Sequence, residues 1–197
     1  MDAMTAVMTR RSTRRMKPNP LPRRLVEQVI EAGRAAPSGG NSQTTRFIVI
    51  ERKAALSALA VLVERAFAAM ALEPGLYRSL RHSIEASKKG GYVFHYGAPV
   101  LIVTANKAAY GNAMADSACA LENMMIAANA LDLGSCWINQ LHWLTDDPSV
   151  RAYLEGLGLE KDETVTGGLI LGWPDTEDGL PPRAPLPRTG NPVVWVE

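Results

Sequence analysis

Two short segments carry most of the chemistry this chain could perform. The first is Arg10-Arg11-Ser12-Thr13-Arg14-Arg15, and the second is Pro37-Ser38-Gly39-Gly40-Asn41-Ser42-Gln43. A phosphate monoester has close to two negative charges and several acceptor oxygens, so guanidinium forks with a hydroxyl beside them suit it. Arg10, Ser12 and Arg14 alternate, and in an extended segment alternate side chains point the same way. They could form one anion cradle, with Arg11 and Arg15 turned the other way. In the second segment Gly39 and Gly40 allow close backbone approach, while Ser38, Asn41 and Gln43 supply donors and acceptors for a polar-edged planar ligand. Read singly, the first segment is more often a solvated basic stretch and the second a polar loop. Their joint presence on either side of one amphipathic helix shifts the balance towards a ligand.

The elements between and beyond must position these groups. Residues 21–36 place Leu25, Val26, Val29, Ile30 and Gly33 on one helical face, with Pro22 in the first turn and Pro37 as a stop. Arg46 to Glu51 reads as a short strand and Lys53 to Phe67 as a helix. No period holds over 72–97, where Tyr77, Tyr92, Phe94, His95 and Tyr96 concentrate, so a lid or irregular insertion is expected. Pro99 to Thr104, Ser135 to Ile138 and Val165 to Pro174 read as buried strands, separated by a helix over 113–133 and a shorter one over 148–156. An α/β or α+β layer with the sheet covered on both faces follows. A proline-rich tail from Leu180 ends in Val193-Val194-Trp195-Val196, an apolar tetrapeptide that needs a docking surface, which another subunit could supply.

At 197 residues, 47% of them apolar, the chain fits one domain over 1–197. A net charge of +1 gives no global reason to bind nucleic acid or an anionic membrane. The 113–133 stretch has too many polar groups for a membrane span, and the N-terminus lacks the order of a secretory signal, so a cytoplasmic location is expected. Cys119 and Cys136 form no metal motif and read as reduced, buried thiols, while His82, His95 and His142 share no ligand spacing. Trp137 and Trp173 fit core packing better than ligand stacking. Lys88-Lys89 could meet nicotinamide phosphates, although a solvated loop is the commoner fate of such residues.

The blocks Ala98 to Val103, Ala120 to Ala128, Leu133 to Ile138 and Leu171 to Pro174, collinear with the first two segments, resemble the FMN-dependent nitroreductase family over most of the chain. That resemblance implies an α+β fold, with a central, mostly antiparallel sheet covered by helices and a C-terminal extension (180–197) docked on the partner of a homodimer. It implies an FMN-dependent NAD(P)H oxidoreductase passing hydride through flavin N5 in ping-pong fashion to a small electron-poor acceptor such as a nitroaromatic or quinone. Arg10, Ser12 and Arg14, with Arg11 adjacent, would bind the FMN phosphate and ribityl chain. Pro37, Ser38, Gly39, Asn41 and Gln43 would approach from the partner. Ile138, Asn139 and Gln140 would bring backbone N–H groups near N5, and Arg188, or else Arg183, would complete the phosphate site. Thr44-Thr45 replaces the family's common Pro-Trp, which removes an aromatic wall. A reductive dehalogenase or ene reductase on the same scaffold, or a flavin-binding sensor without turnover, remain alternatives.

Overall fold

The computed structural model describes residues 1–184 and 186–196; Pro185 and Glu197 of the expected C-terminal extension lie outside the described residues. Four strands, β1 (Arg46–Ile50), β2 (Val100–Lys107), β3 (Gly134–Ile138) and β4 (Glu163–Gly172), make one sheet in the order β1-β2-β4-β3, with every pairing antiparallel. The central strands are apolar on both pleated faces because both are covered. Val100, Ile102, Leu169 and Leu171 pack with α2 (Arg23–Arg34) and α5 (Ala113–Ala130). Leu101, Val103, Val165 and Ile170 face the opposite way, towards α3 (Lys53–Ala69), α4 (Arg78–Lys89), α6 (Gln140–Trp143) and α7 (Pro148–Glu155).

The outer edge of β3 is closed by the basic N-terminal segment. Ser12 bridges Ser135 in parallel, Thr13 N–H donates to Ser135 O at 2.8 Å, and Lys17 N–H donates to Trp173 O at 2.8 Å. The segment is therefore extended, as alternation of Arg10, Ser12 and Arg14 requires. Before it runs α1 (Ala3–Thr9), capped by Asp2 and unexpected from sequence. Seven residues with only Ala6 buried give no periodic signal and are too few to be stable alone. Asn129 holds α1 in place by donating to Ala6 O at 2.9 Å.

Four expectations need correction. The helix expected over 21–36 is shorter, with Pro22 at its N-cap position and Arg34 its last residue. The 72–97 segment is not irregular throughout, since α4 occupies twelve of its residues. The buried face of α4 consists of Ser83, Ile84 and Ser87, so two of its three buried positions are polar and apolar periodicity had nothing to register. Phe94 is fully buried in the core rather than part of a lid, and Cys119 is exposed rather than buried.

His95 is buried too, and its Nδ1 finds no partner among the described residues. Burial lowers its pKa below the ordinary 6.5. The unfolded chain then takes the proton more readily, so stability present at neutral pH is lost as pH falls through 6.5 towards the lower folded value. Thermal midpoints measured from pH 7.5 to 5 are expected to fall less steeply for His95→Leu than for the wild type; parallel slopes would show that His95 is not the group responsible. No helix among the described residues is long and apolar enough to cross a membrane.

Candidate functional site

The alternating trio does converge. Cys136, on β3 beneath the N-terminal segment, has a thiol pushed up by burial and pulled back by Arg14, a Ser12 hydrogen bond and Arg10. The extended backbone along β3, with Thr13 turned inward, sets Arg10, Ser12 and Arg14 on the alternate positions. Between them Thr13 points inward and is buried. Arg10 is only 19% exposed and holds Glu122 of α5 at 3.4 Å, whereas Arg14 has no carboxylate within ion-pair distance among the described residues. Arg14 instead lies 6.0 Å from the centre of the Tyr96 ring.

Arg14 also lines a cavity of about 210 Å³ whose floor is Ile138, Asn139 and Gln140, with Tyr77 and Tyr96 at its side. The end of β3 delivers these groups: the strand stops at Ile138 and the chain turns at once into α6. Trp137, expected as core, is half-buried, lines this cavity, and donates its indole N–H to Asn139 Oδ1 at 2.6 Å. Sequence periodicity could not show this, because an apolar strand run gives no sign that one of its residues borders a cavity. Gly134 is what lets the basic segment lie so close, since a Cβ there would sit 2.8 Å from Thr13 Cγ2. Gly134→Ala is expected to destabilise the fold by about 1–3 kcal/mol and to weaken anion binding at the cradle, read by denaturant unfolding and phosphate titration. Unaltered values for both would show that the contact relaxes freely.

The Ser38–Gln43 loop stands elsewhere in the same protomer. Gly39 N–H donates to Asp116 Oδ1 at 3.1 Å, and Tyr110 Oη donates to Asp116 Oδ2 at 2.9 Å. Gln43 N–H donates to Ser38 Oγ at 3.0 Å, and Gln43 Nε2 donates to Asn41 Oδ1 at 3.0 Å. Gly40, Asn41 and Gln43 all have positive φ, at 58°, 55° and 51°. For the two non-glycines that conformation costs on the order of 1–2 kcal/mol each, so the surroundings must enforce it. Asp116 and Tyr110 do so, and neither was singled out from sequence, because a carboxylate inside an apolar helix carries no pattern of its own. Asp116 and Glu122 anchor the two motifs about 9 Å apart along α5 and roughly 120° apart around it. Within one protomer the motifs do not share a cavity: Pro37, Ser38 and Gln43 border a separate one of about 130 Å³.

Two expected phosphate partners, Arg11 and Arg183, are engaged with the start of the tail within this protomer. Arg11 Nε donates to Ala184 O at 2.9 Å, so its guanidinium holds the start of the tail. Arg183 donates to Asn129 O and Asp132 Oδ1, each at 2.6 Å, and is likewise a tail anchor rather than a cradle residue. Arg188 is exposed. The tail beyond them presents Val193, Val194, Trp195 and Val196, each at least 70% exposed. A larger cavity of about 590 Å³ lies between α3 and the 91–100 segment and contains none of the cradle residues. Chemistry, not volume, therefore marks the site.

The sequence model described as the nitroreductase family matches residues 7–173. A Thermus thermophilus protein named NADH dehydrogenase is 31% identical, over 99% of this chain and 96% of its own length. A Bacteroides fragilis nitroreductase, solved with bound FMN, is 32% identical with a TM-score of 0.86 and 99% of each chain covered. A Desulfitobacterium hafniense nitroreductase at 22% identity, with a TM-score of 0.82 and all of each chain covered, shares the fold.

Proposed function

The chain belongs to the nitroreductase family, and from that premise we propose that it is an FMN-dependent NAD(P)H oxidoreductase, working as a homodimer on small electron-poor acceptors such as nitroaromatics or quinones. The observation that carries the reading is the extended Arg10–Arg14 segment laid along the edge of β3, with Arg14 lining a cavity bordered by Ile138, Asn139 and Gln140. The residues fit the cofactor. Arg14, which has no ion pair among the described residues, and Arg10, already paired with Glu122, can give charged hydrogen bonds to a phosphate, and Ser12 adds a hydroxyl donor.

A cavity of about 210 Å³ is below the roughly 300–1,000 Å³ usual for a ligand site, which supports a reading in which a second copy completes it. The remainder would come from the second copy, whose Ser38, Asn41 and Gln43 present polar groups from a loop already fixed in shape by Asp116. Arg188, on the exposed tail, is the further candidate for the phosphate. The tail itself would seat its apolar end on the partner.

FMN, when bound, supplies hydride acceptance and donation at N5, from NADH or NADPH to the acceptor in ping-pong order. The chain's share is placement. Arg10, Ser12 and Arg14 hold the phosphate end, and the Asn139–Gln140 backbone offers N–H donors at the reacting end. Tyr77 and Tyr96 narrow access for water and set the shape available to an acceptor. No side chain need act as nucleophile. Steady-state oxidation of NADH and NADPH with a quinone is the test. Sustained turnover with parallel double-reciprocal lines is expected, and tight FMN without turnover would favour a sensor or carrier instead.

A further inference from the structure

The turn from β3 into α6 has weak local support. α6 spans only Gln140–Trp143, and Asn139 at its N-cap position makes no side-chain capping bond. Besides the Trp137 indole bond to Asn139 Oδ1, what holds the turn comes from a distant part of the chain. Gln140 is 6% exposed, and its Nε2 donates to Tyr92 Oη at 3.0 Å and to Ser83 Oγ at 3.4 Å. Tyr92 Oη and Ser83 Oγ lie 2.9 Å apart, and Ser83 Oγ donates to Ser79 O at 3.1 Å.

The direction of every bond follows from its last acceptor. A carbonyl can only accept, so Ser83 spends its proton on Ser79. Its oxygen must then accept from the Tyr92 hydroxyl, and the Tyr92 oxygen is left to accept from the Gln140 amide. Each hydroxyl proton is used once, and the amide orientation is specified. Tyr92 is itself held rigidly from α3: its N–H donates to Glu64 Oε1 at 2.8 Å, and its ring meets Phe67 edge-on with centroids 6.4 Å apart. Burial raises its phenol above the ordinary 10, so the group stays a protonated donor across the working range.

We propose that Tyr92, with Ser83, is a positioning residue for hydride transfer: the hydroxyl pair fixes Gln140 and through it the Asn139–Gln140 backbone at the reacting end of the site. This rests on the FMN reading above and assigns a task to the 72–97 segment. Tyr92 does not touch the reacting atoms. It sets where the turn's N–H donors stand, and a small displacement of such donors lowers the rate without lowering affinity for a phosphate held elsewhere.

The test is anaerobic single-turnover reduction of the FMN-loaded protein by NADPH or NADH, for wild type, Tyr92→Phe, Ser83→Ala and the double variant. Tyr92→Phe keeps the ring packing and removes only the hydroxyl. Each single variant is expected to reduce about tenfold more slowly, and the double no more slowly than either, because both break one network. The FMN dissociation constant should stay within about twofold, since the phosphate cradle is untouched. Losses that multiply in the double variant and track a fall in thermal midpoint would assign the pair a merely structural role and overturn the proposal. A wild type that turns over, with Tyr92→Phe reduced at the wild-type rate, overturns this inference alone. A wild type that takes up no FMN overturns the functional reading and this inference together.

Discussion

Replacing Arg10 and Arg14 together by alanine is expected to lower FMN affinity by about a thousandfold, leaving the protein folded. Hydrogen bonds to a charged group contribute about 1.5–3 kcal/mol each, and two lost guanidinium forks sum to roughly 3–6 kcal/mol. At about 1.4 kcal/mol per decade that corresponds to two to four decades in the dissociation constant. The two arginines should not count equally. Arg10 already holds Glu122 at 3.4 Å, so part of its charge is answered before any ligand arrives. Arg14 has no such partner among the described residues, and Arg14→Ala alone should account for more than half of the loss. Arg15→Ala is the matched control, because that side chain is 84% exposed and pairs with Asp175 away from the cradle. Fluorescence titration of FMN distinguishes the three variants. Unchanged affinity in a folded double variant would remove the phosphate site from this part of the chain.

Removal of residues 187–197 is expected to weaken dimerisation by about a hundredfold and to release FMN in parallel. Val193, Val194, Trp195 and Val196 are 70–95% exposed in the isolated protomer, an arrangement that a lone chain gains nothing from. Burying a large apolar side chain contributes about 1.5–3 kcal/mol before the cost of ordering an extended tail is subtracted, so a net of about 3 kcal/mol is a modest expectation. The start of the tail is already fixed, by Arg11 on Ala184 and by Arg183 on Asn129 and Asp132, so the truncation spares its anchor. Sedimentation equilibrium across a dilution series reads the first effect and flavin fluorescence the second. An intact dimer at nanomolar concentration would mean that the tail docks elsewhere or not at all.

The sheet was readable because its central strands are buried on both faces. Continuous apolar runs such as Val100-Leu101-Ile102-Val103 have no competing interpretation at that length, and each of the four expected strands appears within a few residues of its place. α4 was not readable, because its inward face is mostly serine, and serine buried against a tyrosine hydroxyl looks like surface in a sequence. The same physics hid the support of the Asn139–Gln140 turn, which depends on hydrogen bonds spanning 48 and 57 residues. The cradle was readable from alternation, but the division of labour among its arginines was not. Arg10, Arg11, Arg14, Arg15 and Arg183 are the same residue type, and only the folded chain shows which are committed to Ala184, Asp175 or Asn129. Phe94 illustrates the opposite error, where an aromatic cluster suggested a lid although one of its members lies wholly within the core.

An absorption spectrum of the purified protein, taken before and after addition of FMN and then anaerobically with NADPH or NADH, tests the central claim most directly. Flavin bands that shift on binding in the wild type and bleach when the nicotinamide is added are the expected result. Folded protein that takes up no FMN, or FMN bound but unbleached by either nucleotide, would contradict the account.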